Sequence, residues 1–139
     1  NRFNIPSNLK IIKTLHLLLR LFIVSYNAVE CIDNLYSKNE RLVCHFKEND
    51  NHFSVIFIGA INVSSIETQW KGEVSPPMPK KLISTKYGNK NIKFNKGDEI
   101  GMFKSGSTVI LLFTENIELS NSLKMNQSIR VGKKIGKIN

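Results

Sequence analysis

Gly106-Ser107, at the hinge of "KSGSTVILLF" (residues 104–113), is the pair whose types and order could do chemistry. A serine hydroxyl can attack the carbonyl of the residue before it when the peptide is strained and the hydroxyl is deprotonated. Glycine at that preceding position removes a side-chain clash with the attacking oxygen. The amide becomes an ester by N→O acyl shift, and β-elimination with hydrolysis leaves a new chain end bearing a pyruvoyl group. Such a ketone forms a Schiff base with an amine and acts as an electron sink. The same Gly-Ser-Thr also reads as an ordinary turn entering a buried strand, and the tripeptide alone does not separate the two.

Other reactive residues make no comparable arrangement. His16, His45 and His52 fall in no HExxH or HxH pattern, and Cys31 and Cys44 in no CxxC, so no metal site is expected. Both cysteines have apolar neighbours and read as buried reduced thiols, pointing to an intracellular compartment. Glu67, near Trp70, is either a catalytic carboxylate or a hydrogen-bonded structural one. No Gly-x-Ser-x-Gly elbow or phosphate-binding glycine loop is present.

The elements that must position these residues are mostly strands. "RLVCHF", "HFSVIFIGAINVSSI", "KLIST", "NIKF" and "STVILLF" are rich in β-branched residues and separated by "KENDN", "SPPMP" and "YGNKN". The prolines make "SPPMP" a connection. "KGDEIGMF" and "VGKKIGKI" share a Gly-x-x-Ile-Gly core, which suggests two glycine-opened hairpins. Ahead of them, "IIKTLHLLLRLFIV" (residues 11–24) spaces Lys13, His16 and Arg20 three and four apart. That stretch fits an amphipathic helix with a basic stripe, a buried helix, or a pair of strands. The expected fold is a mainly β, compact sandwich or barrel-like single domain with an N-terminal amphipathic helix or strand pair.

With 41% hydrophobic and 22% charged residues over 139 positions, the composition excludes disorder. Twenty Lys and Arg against eleven Asp and Glu give a net charge of +9, which favours an anionic partner. The lysines have few aromatics among them, so no nucleic-acid partner is expected. No apolar run is long enough to span a bilayer, and no cleavable secretory signal is evident. The chain opens on Asn1 rather than methionine, as a fragment or processed chain would.

"NLYSKNERLVCHF", "GAINVSSIETQWKGEVSPP" and "GDEIGMFKSGSTVILLF", in this order and spacing, resemble the C-terminal half of phosphatidylserine decarboxylases. The most specific part is Glu99-Ile100-Gly101-Met102-Phe103 followed by Gly106-Ser107-Thr108. The resemblance implies self-cleavage of the Gly106-Ser107 bond. Residues 1–106 would form the β chain and residues 107–139 the α chain, with Ser107 converted to the covalent pyruvoyl cofactor. It also implies a carboxy-lyase that holds phosphatidylserine as a Schiff base and releases phosphatidylethanolamine and CO2. Such enzymes act peripherally on the cytoplasmic side of the cell membrane, so an anionic membrane surface is an expected partner. Homo-oligomerisation is left open.

The chain departs from the family pattern where histidines are expected. Counting back without gaps from Asn39-Glu40-Arg41, the family's His-x-x-His-x-Pro falls on "NRFNIP". Asn4 then occupies the position of the processing histidine and Asn1 that of the decarboxylation histidine. Asparagine cannot accept a proton near neutral pH. Leu18-Leu19 replaces the usual Pro-Gly turn, and Ser105 a common leucine. The alternative expectation is a truncated or processing-deficient member acting as a membrane-associated β module.

Overall fold

Fifteen short elements, nearly all antiparallel strands, build the protein in a computed structural model that describes residues 2–19, 22–61, 66–74, 81–104 and 108–138. The strands are β1 (Arg2–Asn4), β2 (Leu9–Leu17), β3 (Arg41–Glu48), β4 (Asn51–Ile58), β5 (Ile66–Thr68), β6 (Gly72–Val74) and β7 (Leu82–Lys86). They continue as β8 (Lys93–Phe94), β9 (Glu99–Phe103), β10 (Thr108–Phe113), β11 (Ile117–Leu119) and β12 (Gly136–Ile138). Two short helices, α1 (Tyr26–Cys31) and α2 (Leu35–Lys38), sit between β2 and β3. A single 3₁₀ turn (Gly88–Lys90) occupies "YGNKN". The expected "SPPMP" connection lies outside the described residues. Among those residues no helix is long and apolar enough to cross a membrane.

The large sheet runs β10-β4-β3-β2-β7, with β8 added beside β2; the small sheet runs β1-β9-β5-β6. Neither closes into a barrel among the described residues. The inward faces of both supply one core, in which Leu42, Cys44, Phe46, Val55 and Phe57 of the large sheet meet Ile66, Ile100 and Phe103 of the small one. Phe57 stacks edge-on against Phe3 and Phe103 at ring-centroid distances of 6.1 and 5.5 Å. Trp70 closes one side against Phe46 and Phe94.

Of the alternatives open for 11–24, a strand forms: β2 occupies residues 11–17, and residues 18–19 and 22–24 carry neither a helix nor a second strand. A bulge between Ile11 and Lys13 breaks the period-2 alternation. Leu9 and Ile11 point inward before it; Thr14, His16 and Leu18 do so after it. That phase change hides the strand from a pattern reading and keeps Lys13 out of the core. Hydrogen-bonded neighbours on both sides, β3 and β7, outweigh the helical spacing of the polar residues.

The two Gly-x-x-Ile-Gly segments are alike in structure, but neither is a hairpin turn. Gly97 and Gly132 open them at φ 93° and 84°, a conformation that favours glycine. The first carries the chain from β8 in the large sheet to β9 in the small one. The second leads into β12, whose partner β11 lies before a long loop. At the closing glycines, Gly101 and Gly136, an added Cβ would stand 2.8 Å from a neighbouring backbone carbonyl, that of Glu67 or Glu118.

Candidate active site

β9 and β10 approach the Gly106-Ser107 bond from different sheets. Phe103, at the end of β9, is in register with Ile66 on β5; Thr108, at the start of β10, is in register with Ile58 on β4. Gly106 and Ser107 themselves lie outside the described residues, as does Asn1. The strand before the bond is fixed along its length. Glu99 Oε2 accepts from Arg2 at 2.9 Å and its Oε1 from Gln69 at 3.2 Å. Gly101 leaves room for the Phe57 ring and the Glu67 carbonyl. Phe103 stacks on Phe57, and Lys104 Nζ reaches Glu73 at 3.0 Å. The Glu-x-Gly-x-Phe spacing is therefore a set of attachments, Glu99 to Arg2 and Gln69, and Gly101 and Phe103 to the Phe57 ring.

The strand after the bond is held separately. β10 pairs with β4 over six residues, from Thr108↔Ile58 to Phe113↔Phe53, and Phe113 stacks on Phe53 at 4.6 Å. β9 and β10, on either side of the bond between residues 106 and 107, are thus held in different sheets.

Asn39-Glu40-Arg41 forms a node at the same end of the large sheet. Buried Asn39 donates from Nδ2 to the Gly59 carbonyl at 2.9 Å and to the Phe22 carbonyl at 3.1 Å. Its Oδ1 accepts from Phe22 N–H. The Glu40 carbonyl accepts from Gly59 N–H at 2.9 Å. Its side chain, 2% exposed, meets the 4%-exposed His16 ring at 2.6 Å. Arg41 donates to the Tyr36 carbonyl at 3.0 Å, tying α2 to β3. Gly59 follows Ile58, the register partner of Thr108, so the node fixes the platform from which β10 starts.

His16, on a basic stripe if residues 11–24 were helical, is an inward strand residue bonded to Glu40. A histidine at an inward strand position with a glutamate just before the next strand was the available signal, and the bulge obscured it. Asn4 lies on β1, which pairs directly with β9. Its register partner is Glu99, and its Nδ2 donates to the Gly97 carbonyl at 2.7 Å. Glu99 is at the opposite end of β9 from Phe103, about 13 Å along an extended strand, and the Gly97 contact lies beyond it. The structure thus sets Asn4's strand beside the strand leading to the bond, with Arg2 nearer the bond than Asn4.

Glu67 is half-buried between Met102 and Glu73 in the small sheet. Beside it, the buried Thr68 hydroxyl has no hydrogen-bond partner among the described residues. His45 Nδ1 meets Ser54 Oγ at 2.7 Å on the outward face of the large sheet. Partial burial, then the Lys13 charge and His52, lower its pKa from 6.5. Of the two cysteines only Cys44 is buried, and burial pushes its thiol pKa far up; Cys31 is exposed, against expectation. It sits at the end of α1, a six-residue helix too short to enclose it. Among the described residues no three His, Cys, Asp or Glu side chains gather as metal ligands.

A family model described as phosphatidylserine decarboxylase matches residues 1–137. A phosphatidylserine decarboxylase proenzyme of Francisella philomiragia is 42% identical over 130 residues, covering 92% of this chain and 45% of its own. One of Coxiella burnetii is 38% identical over 139 residues, 99% of this chain and 49% of its own. One of Methylococcus capsulatus is 47% identical over 93 residues, 67% and 32% respectively. The chain thus spans about half, or less, of the length of these relatives.

Proposed function

The chain belongs to the phosphatidylserine decarboxylase family, and from that premise we propose that it is the C-terminal part of a proenzyme that cleaves itself between Gly106 and Ser107. The processed protein decarboxylates phosphatidylserine to phosphatidylethanolamine and CO2, working peripherally at the cytoplasmic face of the cell membrane. The observation that carries this reading is the separate anchoring of β9 and β10 on either side of the bond. Scission there needs neither strand to leave its sheet, and the 107–139 chain keeps its six-residue ladder to β4.

A pyruvoyl group left by Ser107 would supply a carbonyl for the substrate amine and a sink for the electrons of the departing carboxylate. The chain fits that group: Ser107 would supply its carbon skeleton, with the keto oxygen from water and the nitrogen lost as ammonia, and Thr108 and Phe103 hold the flanking backbone in two sheets. What this chain supplies poorly is the base. With Asn1 and Asn4 where the family has histidines, cleavage runs about a hundred- to ten-thousandfold below that of a histidine-bearing relative.

Intact mass over time is the test. The chain should resolve slowly into fragments 1–106 and 107–139, the smaller with a blocked N-terminus and a carbonyl reactive to hydrazines. Ser107→Ala should stay whole, and Asn1→His/Asn4→His should cut faster. If the native chain and the double-histidine variant both stay uncut, the self-processing reading fails and a non-catalytic β module takes its place.

A further inference from the structure

The outward face of the large sheet carries a charge pattern that works against its own pairing. Lys10 stands opposite Lys47 on one side and Lys93 on the other, and Lys13 stands opposite Lys86. Like charges directly across a ladder destabilise it. No outward position of the six strands carries Asp or Glu; only the fully exposed Asp50, in the β3–β4 turn, reaches Lys47, at 3.9 Å. Towards the end where β10 begins, the same face turns apolar. Leu15, Val43, Ile56 and Ile110 form one row across four strands, all partly exposed. Leu112, beside Ser54 in the Lys13–His45 row, and Leu82, beside Leu17, add exposed aliphatic side chains on either side of it, at 53% and 60% exposure. The next row is Leu82, Leu17, Arg41, Ile58 and Thr108, the residue that follows Ser107; Ile58 is fully buried there, so this row forms the edge of the open face.

We propose that this face docks on an anionic phospholipid bilayer, its apolar row seated among the headgroups and its five lysines on their phosphates. The charge and apolar pattern select that occupant. A second copy laid face to face would set lysine row against lysine row. A nucleic acid would find no Phe, Tyr or Trp at these positions to stack on. A basic rim beside exposed aliphatic side chains gains from both terms at a bilayer surface. The inference deepens the decarboxylase reading by naming the surface at which the lipid substrate would arrive, and it sets Thr108 at the edge of that surface.

The test is vesicle co-sedimentation of the full chain, with phosphatidylserine in phosphatidylcholine against phosphatidylcholine alone. Binding should require the anionic lipid and weaken with salt. Each lysine at an anionic leaflet is worth about five-fold, so Lys13→Gln/Lys86→Gln should weaken partition about 25-fold. Leu112→Ser, an exposed site, should weaken it about three- to tenfold. Lys133→Gln/Lys134→Gln removes the same charge from the exposed loop before β12 and should change it less than about twofold. Equal loss from the two lysine pairs, or no loss from the sheet pair, overturns the proposal. So does self-association that Leu112→Ser abolishes, which would make a second copy the occupant. Repeating the series on Ser107→Ala separates docking from processing, because vesicle binding needs no cut.

Discussion

Replacing His16 and Glu40 by leucine, singly and together, probes the node beneath β10. The two side chains are 4% and 2% exposed and 2.6 Å apart, so neither can turn to water when the other is removed. Each single change deletes a hydrogen bond involving a charged or polarised partner, worth about 1.5–3 kcal/mol, and strands the remaining group at about 1–3 kcal/mol. Removing one partner of a buried pair typically costs about 3–5 kcal/mol in all. Domains of this kind have about 5–15 kcal/mol of stability, so a single variant should lose about a fifth or more of it and melt about 10–20 °C lower. The double variant leaves neither group stranded and should recover about 1–3 kcal/mol relative to the sum of the singles. Urea denaturation of all four proteins at neutral pH measures the coupling. If the single losses simply add, the two residues stabilise the protein independently, and the node described here is not a pair.

Gly101→Ala puts a Cβ 2.8 Å from the Glu67 carbonyl and 3.1 Å from the Phe57 ring. The clash with backbone should cost about 1–3 kcal/mol by denaturation and slow any cleavage, because β9 must shift away from β5. An unchanged midpoint would show that the β5–β9 contact yields freely. For His45, burial and then Lys13 and His52 hold the folded pKa below 6.5. The unfolded chain therefore takes up that proton more readily. The stability contributed by neutral His45 is complete above about pH 6.5 and declines as pH falls through the folded pKa. An NMR titration should find His45 titrating below 6.5, and Lys13→Gln should raise its pKa; no movement would mean Lys13 exerts no field there.

The mainly β class, most of the strands and the family were legible in the sequence because each depends on local residue types. β-Branched runs such as "STVILLF" prefer an extended backbone wherever they are placed. Gly106-Ser107 stands out for the same reason: the cleavage proposed for that bond begins with two adjacent residues. What no linear pattern contains is how residues distant in the chain meet. One bulged residue in β2 turns His16 inward to Glu40, 24 positions on, and turns Lys13 outward against Lys86. Read linearly, Lys13, His16 and Arg20 were one basic stripe; in the folded protein Lys13 and His16 lie on opposite faces of one sheet. The lysine face, like the separate anchoring of β9 and β10, exists only because strands far apart in sequence pair in one register. Register is set by burial of the inward side chains, a property of the whole core rather than of any segment.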